Sequence, residues 1–545
     1  MRLALVLSLA LPLLVRAVDY PESAPLKRTE QPPVILLNGY QLGCSAVPVA
    51  SSDTFGQMEA LLAAAGREVR FFDNCRLGRI PIEELGGALG RYLASLRYED
   101  GGEVAQVDLV GHSMGGIIAR AYLAGRQVDG TYAPPVPHRV RKLVTIGTPH
   151  FGADLQGFAA PDIQAVAISG GTRMLFDLAT WNQGVDDWRG VDVLAIAGRS
   201  RSTRPTDGLV PALQAAGYFA AGVEQDRTRV VPGCHTTGFA AILLGCLLGE
   251  PGIASITNEN HPTWQLLSRF LSNQETWRDL FSAAEDSELA AQAGLWLSYA
   301  DQSGNLALDS SAIAYFGDSA LGQLPGSGVL TLPRVPLAEE AELSVSWNGQ
   351  PQTTFRTPLS RGIRALRVKD GVSIRSVAME GVDRGVYTGR ARLLLGTGRI
   401  RISGTGFGTQ PEVTLDGVRL EAAVTEDAGV IVATVPQREK QGIGVLRVVA
   451  EGSEDTARVM FGPVPARLSR DGALPLGWDA TSGAQGYWLT IGTEPGKTDL
   501  FEQWFDTAQP EVSLPSTLRS GEAFVRLWTI ADGEWYYHDS TVVLP

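Results

Sequence analysis

The first half of the chain is organised around Val107-Asp108-Leu109-Val110-Gly111-His112-Ser113-Met114-Gly115-Gly116, an apolar run that ends in a Gly-x-Ser-x-Gly pentapeptide. Its β-branched start is typical of a buried strand, and the residues after the glycines are typical of a helix. A serine on such a sharp strand-to-helix turn presents its hydroxyl above the sheet, which predicts that Ser113 is a nucleophile. The alternative is an ordinary glycine-rich turn with a buried serine.

Apolar β-branched segments and amphipathic segments alternate on both sides of this stretch. Strands are predicted at residues 33–39, 68–72, 140–146, 191–197 and 228–232. Helices are predicted at residues 54–65, 82–96 and 262–271. This alternation predicts an α/β fold with a mostly parallel, doubly wound sheet, and it places the reactive loops at the carboxyl ends of the strands.

A nucleophilic serine needs an imidazole to take its proton and a carboxylate to orient that imidazole. In this architecture the acid follows the serine in the chain and the histidine comes last. Asp207 lies in a turn just after the strand predicted at 191–197, so we expect it to be the acid. The alternative for Asp207 is a solvated turn aspartate.

Two histidines are candidates for the base. His235 follows the strand predicted at 228–232 directly, which places it at a carboxyl end of the sheet. His261 precedes Pro262 at the expected entrance of a helix, a position that suits a capping residue equally well. The strand-end position favours His235, and His261 stays the alternative base.

An oxyanion hole requires N–H donors beside the nucleophile, usually one after the serine and one from the loop after an early strand. The backbone N–H groups of Met114 and Tyr40 are at those positions. The side chain of Gln41, next along the same loop, is a weaker candidate donor.

Three motifs within residues 32–275 resemble the lipase group of the α/β-hydrolases: Asn38-Gly39, the pentapeptide segment Gly111-His112-Ser113-Met114-Gly115-Gly116, and Thr145-Ile146-Gly147-Thr148-Pro149-His150-Phe151-Gly152. Bacterial triacylglycerol lipases and the GPI inositol-deacylase-like enzymes are the most similar families. Their acid lies in an Asp-Gly-x-Val turn, which Asp207-Gly208-Leu209-Val210 matches. They usually have His-Gly where this chain has Asn38-Gly39.

This resemblance implies an α/β-hydrolase fold and a serine esterase or lipase that cleaves carboxylic esters, lipid esters above all. A Ser-His-Asp mechanism requires no metal and no cofactor. An acyltransferase, which would pass the acyl group to an alcohol instead of water, is an alternative function with the same nucleophilic serine. In lipase-like proteins an insertion such as residues 151–189 forms a cap over the acyl pocket, and the alternative is an ordinary packed helical excursion. Its large apolar residues are Phe158, Ile163, Ile168, Leu175, Phe176, Trp181 and Trp188.

The N-terminus and the cysteines predict an exported protein, periplasmic or extracellular. Residues 1–17 combine a basic start, a short apolar core and a small residue, as in a signal peptide, and residues 18–32 are a polar linker. The four cysteines favour two disulfides, Cys44 with Cys75 and Cys234 with Cys246, although four cysteines allow other pairings. A net charge of −13 without a basic run argues against nucleic acid as a partner.

The chain divides into a catalytic domain at residues 33–277 and β modules after it. Residues 278–390 are expected to be mixed, helical or irregular near 284–296 and short strands from about 329, with a hairpin turn at Asn348-Gly349. Gly404-Thr405-Gly406-Phe407-Gly408 and the Asp416-Gly417 turn resemble an IPT/TIG domain over residues 391–462. Leu476-Gly477-Trp478-Asp479-Ala480 and the strand-like run at 486–492 resemble a fibronectin type III-like module over residues 463–545. All-β, immunoglobulin-like sandwiches are therefore expected to follow the hydrolase domain.

The last module has aromatic residues that suit either a sandwich core or a sugar-binding face, and the core interpretation is favoured. They are Trp504, Trp528, Trp535, Tyr536 and Tyr537. Glycan or cell-surface contact through these modules is the corresponding partner prediction. A non-catalytic adhesion protein with a hydrolase-like scaffold is the functional alternative to the enzyme.

Overall fold

The computed structural model describes residues 20–41, 48–135, 137–154, 162–181, 191–201, 206–216, 227–237, 246–247, 249–282, 293–301, 305–308, 312–359, 361–379, 398–425, 429–436, 442–461, 468, 476–478, 484–494, 497–505, 511–515, 520–531 and 534–544. The predicted signal peptide, Cys44, Phe158 and Trp188 lie outside these residues, as do the side chains of Trp535, Tyr536 and Tyr537. Among the described helices, none is sufficiently long and apolar to span a membrane.

A single parallel sheet forms the centre of the first half, in the order β2-β1-β3-β4-β5-β6. Its strands are β1 (Val34–Leu37), β2 (Val69–Phe72), β3 (Val107–His112), β4 (Val140–Ile146), β5 (Asp192–Arg199) and β6 (Thr228–Pro232). Every neighbouring pair is parallel. The predicted α/β fold is confirmed, and the carboxyl ends of all six strands lie at one edge of the sheet.

Helices cover both faces of this sheet: α1 (Ser51–Phe55), α2 (Met58–Ala64), α3 (Ile82–Ser95), α4 (Met114–Ala124), α5 (Ile163–Ala167), α6 (Arg173–Thr180), α7 (Ala212–Ala216) and α8 (Pro262–Leu271), with 3₁₀ turns at Asn74–Leu77 and Glu275–Asp279. One core lies between the sheet and α3, α4, α6 and α7, and the other between the sheet and α1, α2 and α8. The predicted helix at 54–65 is wrong as a single helix. The helix is interrupted at Gly56, which has a φ of 58°, because Gln57 N–H donates to Ile256 O at 2.7 Å instead of to a helical carbonyl.

The second half consists of strands: β7 (Ala293–Ala300), β8 (Ala312–Phe316), β9 (Ser319–Gln323), β10 (Leu330–Val335), β11 (Ala338–Trp347), β12 (Gln350–Leu359), β13 (Gly362–Lys369), β14 (Ser373–Met379), β15 (Gly398–Thr405), β16 (Glu412–Leu415), β17 (Val418–Arg419), β18 (Glu421–Val424), β19 (Val430–Val435), β20 (Gly442–Ala450), β21 (Ser453–Phe461), β22 (Leu476–Gly477), β23 (Ala484–Gly492), β24 (Phe501–Phe505), β25 (Glu511–Val512), β26 (Gly521–Ala531) and β27 (Glu534–Leu544).

These strands form small sheets, mostly antiparallel, around three separate cores, as expected for immunoglobulin-like modules. The hairpin predicted at Asn348-Gly349 joins β11 to β12, with φ of 53° and 73° at the two turn residues. The expectation of helical or irregular structure up to residue 296 is wrong from Ala293 onward, where β7 begins and pairs with β10 and β13. β14 pairs with β15 across the expected boundary at residue 391.

The first β module, which β7 to β13 form, packs directly onto the α/β domain. Trp296 is buried in the core that α3, α4 and α6 share, and its ring meets that of Phe151 edge-on with centroids 4.9 Å apart. On the same side, Arg367 of β13 donates to Asp177 Oδ1 and Thr180 Oγ1 of α6, each at 3.2 Å. The module therefore completes this core of the α/β domain and holds α6.

The last module turns the outer face of its sheet toward the same domain. Trp488 lies on that face, opposite the core residues Tyr487 and Leu489, yet it is only 5% exposed, with the Arg141 guanidinium 5.0 Å from its ring centroid. Trp504 pairs with Trp488 across the sheet and remains 44% exposed. Trp488, which is not one of the predicted aromatic residues, therefore packs within the chain, and the core interpretation is wrong for Trp504, which lies outside the sandwich core.

Candidate active site

Ser113 occupies the sharp turn between β3 and α4, with φ 54° and ψ −126°. Such positive φ is unusual for a residue with a side chain and is found where surrounding structure enforces it. Here Ser113 N–H donates to Ile146 O of the neighbouring β4 at 2.8 Å, which anchors the turn to the sheet. The hydroxyl consequently stands at the carboxyl edge of the sheet, as the strand-turn-helix order predicts.

The N-terminus of α4 is packed against the end of β1. A Cβ atom added to Gly115 would lie 2.3 Å from Leu37 O and 2.8 Å from Asn38 O, so only glycine permits this approach. Met114 is the first residue of α4, and N–H groups in the first turn of a helix have no acceptor within the helix. The Met114 N–H is thus placed beside Ser113 and near the loop that begins at Asn38.

The structure brings together three side chains that lie far apart in the sequence. His235 Nε2 is 2.9 Å from Ser113 Oγ, and His235 Nδ1 is 2.7 Å from Asp207 Oδ2. All three are buried, with Ser113 4%, His235 5% and Asp207 0% exposed. Exclusion of water strengthens each of these hydrogen bonds electrostatically.

Asp207 is held by its own turn. Its Oδ1 accepts hydrogen bonds from Leu209 N–H at 3.0 Å and Val210 N–H at 2.7 Å, which leaves Oδ2 for the imidazole of His235. The backbone N–H of His235 donates to Asp207 O at 2.8 Å, so the two loops are also joined through the main chain. The alternative of a solvated turn aspartate does not describe this residue.

This arrangement can perform nucleophilic catalysis. The carboxylate holds a proton on Nδ1 of the ring, which leaves Nε2 free to accept the hydroxyl proton of Ser113. Ser113 then becomes able to attack an electrophilic carbonyl carbon.

The loop that carries His235 is closed by a disulfide between Cys234 and Cys246, whose Cα atoms are 6.3 Å apart. Cys234 N–H also donates to Pro251 O at 2.8 Å, and Ile253 N–H donates to Cys234 O at 2.8 Å. Cys75, in the 3₁₀ turn that precedes α3, is disulfide-bonded as well. Its predicted partner Cys44 lies outside the described residues. Covalent closure next to His235 restricts the positions that the ring can take.

The structure does not bring His261 to the nucleophile. Its Nδ1 accepts from Thr263 N–H at 3.3 Å at the start of α8, and its Nε2 donates to Gly252 O at 3.2 Å. Burial lowers the pKa of His261, which agrees with a neutral ring that accepts on one side and donates on the other. His261 is therefore placed as a helix cap.

Substitution of His261 by alanine distinguishes a helix cap from a catalytic base. We expect His261→Ala to lower the free energy of unfolding by about 1 kcal/mol, as for loss of a helix N-cap, and to leave the reactivity of Ser113 unchanged. Urea unfolding and the labelling rate of Ser113 by a fluorophosphonate measure the two effects. Loss of labelling in a folded His261→Ala protein would return His261 to the candidate bases.

Two further histidines support the site without facing the nucleophile. His112 Nε2–H donates to His235 O at 3.1 Å, and burial together with the nearby His235 holds the pKa of His112 well below its usual range. Burial and the charge of Arg120 do the same to the pKa of His150, whose Nδ1 accepts from Arg120 Nη1 at 3.1 Å. Both rings therefore pack beside the site in their neutral form.

Tyr40 connects the loop that follows β1 from Asn38, here called the oxyanion loop, to the inserted segment at residues 151–189. Its hydroxyl donates to Asp162 Oδ2 at 2.7 Å, and the Arg79 guanidinium lies 4.4 Å above its ring and 2.6 Å from the same carboxylate. Burial and the bond to Asp162 raise the pKa of Tyr40. Burial alone would raise the pKa of Asp162, but the Ala165 N–H, the Tyr40 hydroxyl and the Arg79 charge lower it. Sequence reasoning missed Arg79 and Asp162, because 122 residues separate Tyr40 from Asp162.

Gln41 is not placed as an oxyanion donor. Its side-chain Nε2 is directed to Thr54 Oγ1 at 3.5 Å, and its backbone carbonyl accepts from Arg79 Nη2 at 2.6 Å. The candidate donors are therefore the backbone N–H groups of Tyr40 and Met114.

The segment predicted as a cap contributes α5 and α6 to the described structure. α6 is packed in the core, with Leu175 and Phe176 fully buried. α5 begins after Asp162, the residue that binds Tyr40, and its Gln164 Nε2 donates to Ile80 O at 2.9 Å. The helix exposes Ile163 at 52% and Val166 at 49%. The segment is thus part packed excursion and part exposed apolar surface beside the site.

Comparison with protein families agrees with this geometry. Residues 89–210 match the family described as the PGAP1-like alpha/beta domain. This stretch of the chain is therefore similar to a PGAP1-like alpha/beta domain. The match includes the elbow with Ser113 and the turn with Asp207, and it ends before His235. The resemblance to α/β-hydrolases is thereby confirmed for the PGAP1-like domain. No curated protein matches the chain.

Several solved structures are similar to parts of the chain. The product of a Listeria innocua gene is 19% identical over 39% of this chain and 92% of its own, with a TM-score of 0.25. A butyrate-bound esterase from Thermogutta terrifontis is 14% identical over 46% of this chain and 87% of its own, with a TM-score of 0.28. Extracellular domains 3–5 of Drosophila OTK are 10% identical over 47% of this chain and 88% of their own, with a TM-score of 0.17. The chemistry of the site therefore rests on its own geometry.

Proposed function

We propose that this protein is a serine hydrolase that cleaves carboxylic esters, with Ser113 as nucleophile, His235 as base and Asp207 as the orienting acid. One observation supports this most strongly: the continuous series of hydrogen bonds from Asp207 through His235 to Ser113, at 2.7 and 2.9 Å, on the loops that follow β3, β5 and β6.

In the proposed reaction His235 Nε2 takes the Ser113 proton while Oγ bonds to the carbonyl carbon of the ester. The Tyr40 and Met114 N–H groups donate to the oxyanion that forms. The tetrahedral species collapses as His235 returns the proton to the leaving alcohol, which yields an acyl-serine. Water, deprotonated by the same His235, then releases the carboxylic acid and regenerates Ser113.

We infer lipid esters as the substrate class and an oxidising compartment as the site of action. The exposed apolar residues Ile163 and Val166 lie on the segment that contacts the oxyanion loop, and we expect them to contact the acyl chain of a substrate. The signal-like sequence at residues 1–17 and the Cys234–Cys246 disulfide support export.

Covalent labelling tests the proposed function. A fluorophosphonate is expected to label the wild-type protein, and Ser113→Ala is expected to lose both the label and at least about 10⁴-fold in turnover of p-nitrophenyl esters, as when a catalytic serine is removed. Ser255→Ala, in the same domain, is the matched control and should label normally. A folded wild-type protein that neither labels nor turns over short- or long-chain esters would contradict the proposal.

A further inference from the structure

Asn74 lies beneath the oxyanion loop and binds two consecutive carbonyl groups of that loop. Its side-chain Nδ2 donates to Asn38 O at 2.9 Å and to Gly39 O at 3.0 Å. Its backbone N–H donates to Asn38 Oδ1 at 3.0 Å. Asn74 is 1% and Asn38 0% exposed, so water does not compete for these bonds.

The turn that carries Asn74 is held in place at the end of β2 by Asp73. Asp73 caps the 3₁₀ turn Asn74–Leu77, with Oδ1 accepting from Cys75 N–H at 3.0 Å. The same carboxylate accepts from Asn38 Nδ2 at 3.2 Å and from Val49 N–H at 3.0 Å. The buried pair Asp73-Asn74 thus connects β2 to both sides of the oxyanion loop.

Gly39 lies between Asn74 and the nucleophile. A Cβ atom added to Gly39 would be 2.6 Å from Ser113 Cβ and 3.2 Å from Ser113 Oγ, so a side chain there would occupy the place of the reacting groups. The Gly39 carbonyl is directed to Asn74. In a trans peptide the N–H that follows points in the opposite direction from the carbonyl, so the Tyr40 N–H is directed away from Asn74.

We propose that Asn74 is a positioning residue for the oxyanion hole of the proposed hydrolase: by binding the carbonyls of Asn38 and Gly39 it sets the plane of the Gly39-Tyr40 peptide and aims the Tyr40 N–H at the developing oxyanion. This role rests on the proposed function. Asn74 does not touch the substrate, and it acts only through the orientation of Tyr40 N–H.

The role predicts a loss in the chemical step rather than in binding. Oxyanion donors act on charge that exists only in the transition state, and removal of one donor costs about 10²- to 10³-fold in kcat. Misorientation of Tyr40 N–H in Asn74→Asp, whose carboxylate faces two carbonyl oxygens, is expected to lower kcat about 10- to 100-fold, with KM changed less than about threefold. The rate of fluorophosphonate labelling should fall in parallel, because phosphonylation develops negative charge on the phosphoryl oxygen of the probe, which the same N–H donors would bind.

The test compares full-length wild type, Asn74→Asp, Asn74→Ala and Thr263→Val on p-nitrophenyl butyrate, with the concentration of folded protein set from circular dichroism. Thr263 Oγ1 also donates to a buried carbonyl, Ile253 O at 2.5 Å, so Thr263→Val matches the loss of one buried bond away from the oxyanion loop. Reduced kcat and labelling rate in both Asn74 variants, with Thr263→Val at the wild-type rate, support the role.

Three kinds of result would overturn the role, and they are distinguishable. If Ser113→Ala abolishes labelling while both Asn74 variants keep the wild-type kcat and labelling rate, the hydrolase stands and the positioning role is wrong. If kcat falls equally in Thr263→Val, or if the loss in the Asn74 variants lies in KM alone, the effect is structural or on binding. A folded wild-type protein without labelling would overturn the proposed function and this role together.

Discussion

Asp207→Asn is expected to lower kcat by about four orders of magnitude while the protein stays folded, as in serine proteases in which the triad aspartate is replaced by asparagine. The turn explains why. Leu209 N–H and Val210 N–H both donate to the Oδ1 position, so they would select the amide oxygen there and direct the NH₂ group at His235. The ring would then carry its proton on Nε2, where it cannot accept the proton of Ser113.

Asp192→Asn is the control for this substitution. Asp192 is a largely buried carboxylate of the same sheet that binds Lys142 and Arg227, and opposing charges hold its pKa below the usual value in spite of burial. Its substitution should lower stability and leave kcat of the folded fraction close to wild type. Steady-state turnover over a pH series measures both variants, and an Asp207→Asn protein within tenfold of wild type would contradict the assigned role.

Trp296→Ala is expected to destabilise the hydrolase domain by about 3 to 5 kcal/mol, the usual cost of emptying a large aromatic site in a core. Trp296 belongs to the first β module in sequence, but it is 3% exposed and packs edge-on against Phe151 within the hydrolase core. Removal of the ring leaves a cavity between the two units. We therefore expect ester turnover to be lost at a lower urea concentration than in wild type.

Trp504→Ala is the matched control, because Trp504 is 44% exposed and lies on the last module. Its effect on the urea midpoint of turnover should be small. Equal midpoints for Trp296→Ala and wild type would show that the hydrolase domain is stable without this contact and that the first β module is an independent spacer.

Much of the fold followed from short-range patterns in the sequence. The strand before Ser113 and the helix after it depend on periodicities within a few residues, and the Asn348-Gly349 hairpin depends on two adjacent residues that accept positive φ. The helix expected at 54–65 was wrong, since Gln57 is hydrogen-bonded to a carbonyl about two hundred residues away, at Ile256. No local pattern contains that contact.

The candidate site shows the same division. Local sequence specified the serine turn, the Asp-Gly turn at Asp207 and a short set of histidines, because each is a property of a few consecutive residues. The choice of His235 over His261 at the nucleophile required the folded chain, since Ser113 and His235 are 122 residues apart.

Contacts that no local pattern encodes join the remaining parts. Asn74 reaches back 35 residues to Gly39, Asp162 reaches Tyr40 over 122 residues, and Trp296 enters a core built mostly from the first half. Such contacts depend on how β1, β2 and the β modules are brought together by burial of apolar surface in the whole chain. The sequence alone thus determined the kind of elements and the candidate reactive groups, and only the tertiary structure decided which of those groups meet.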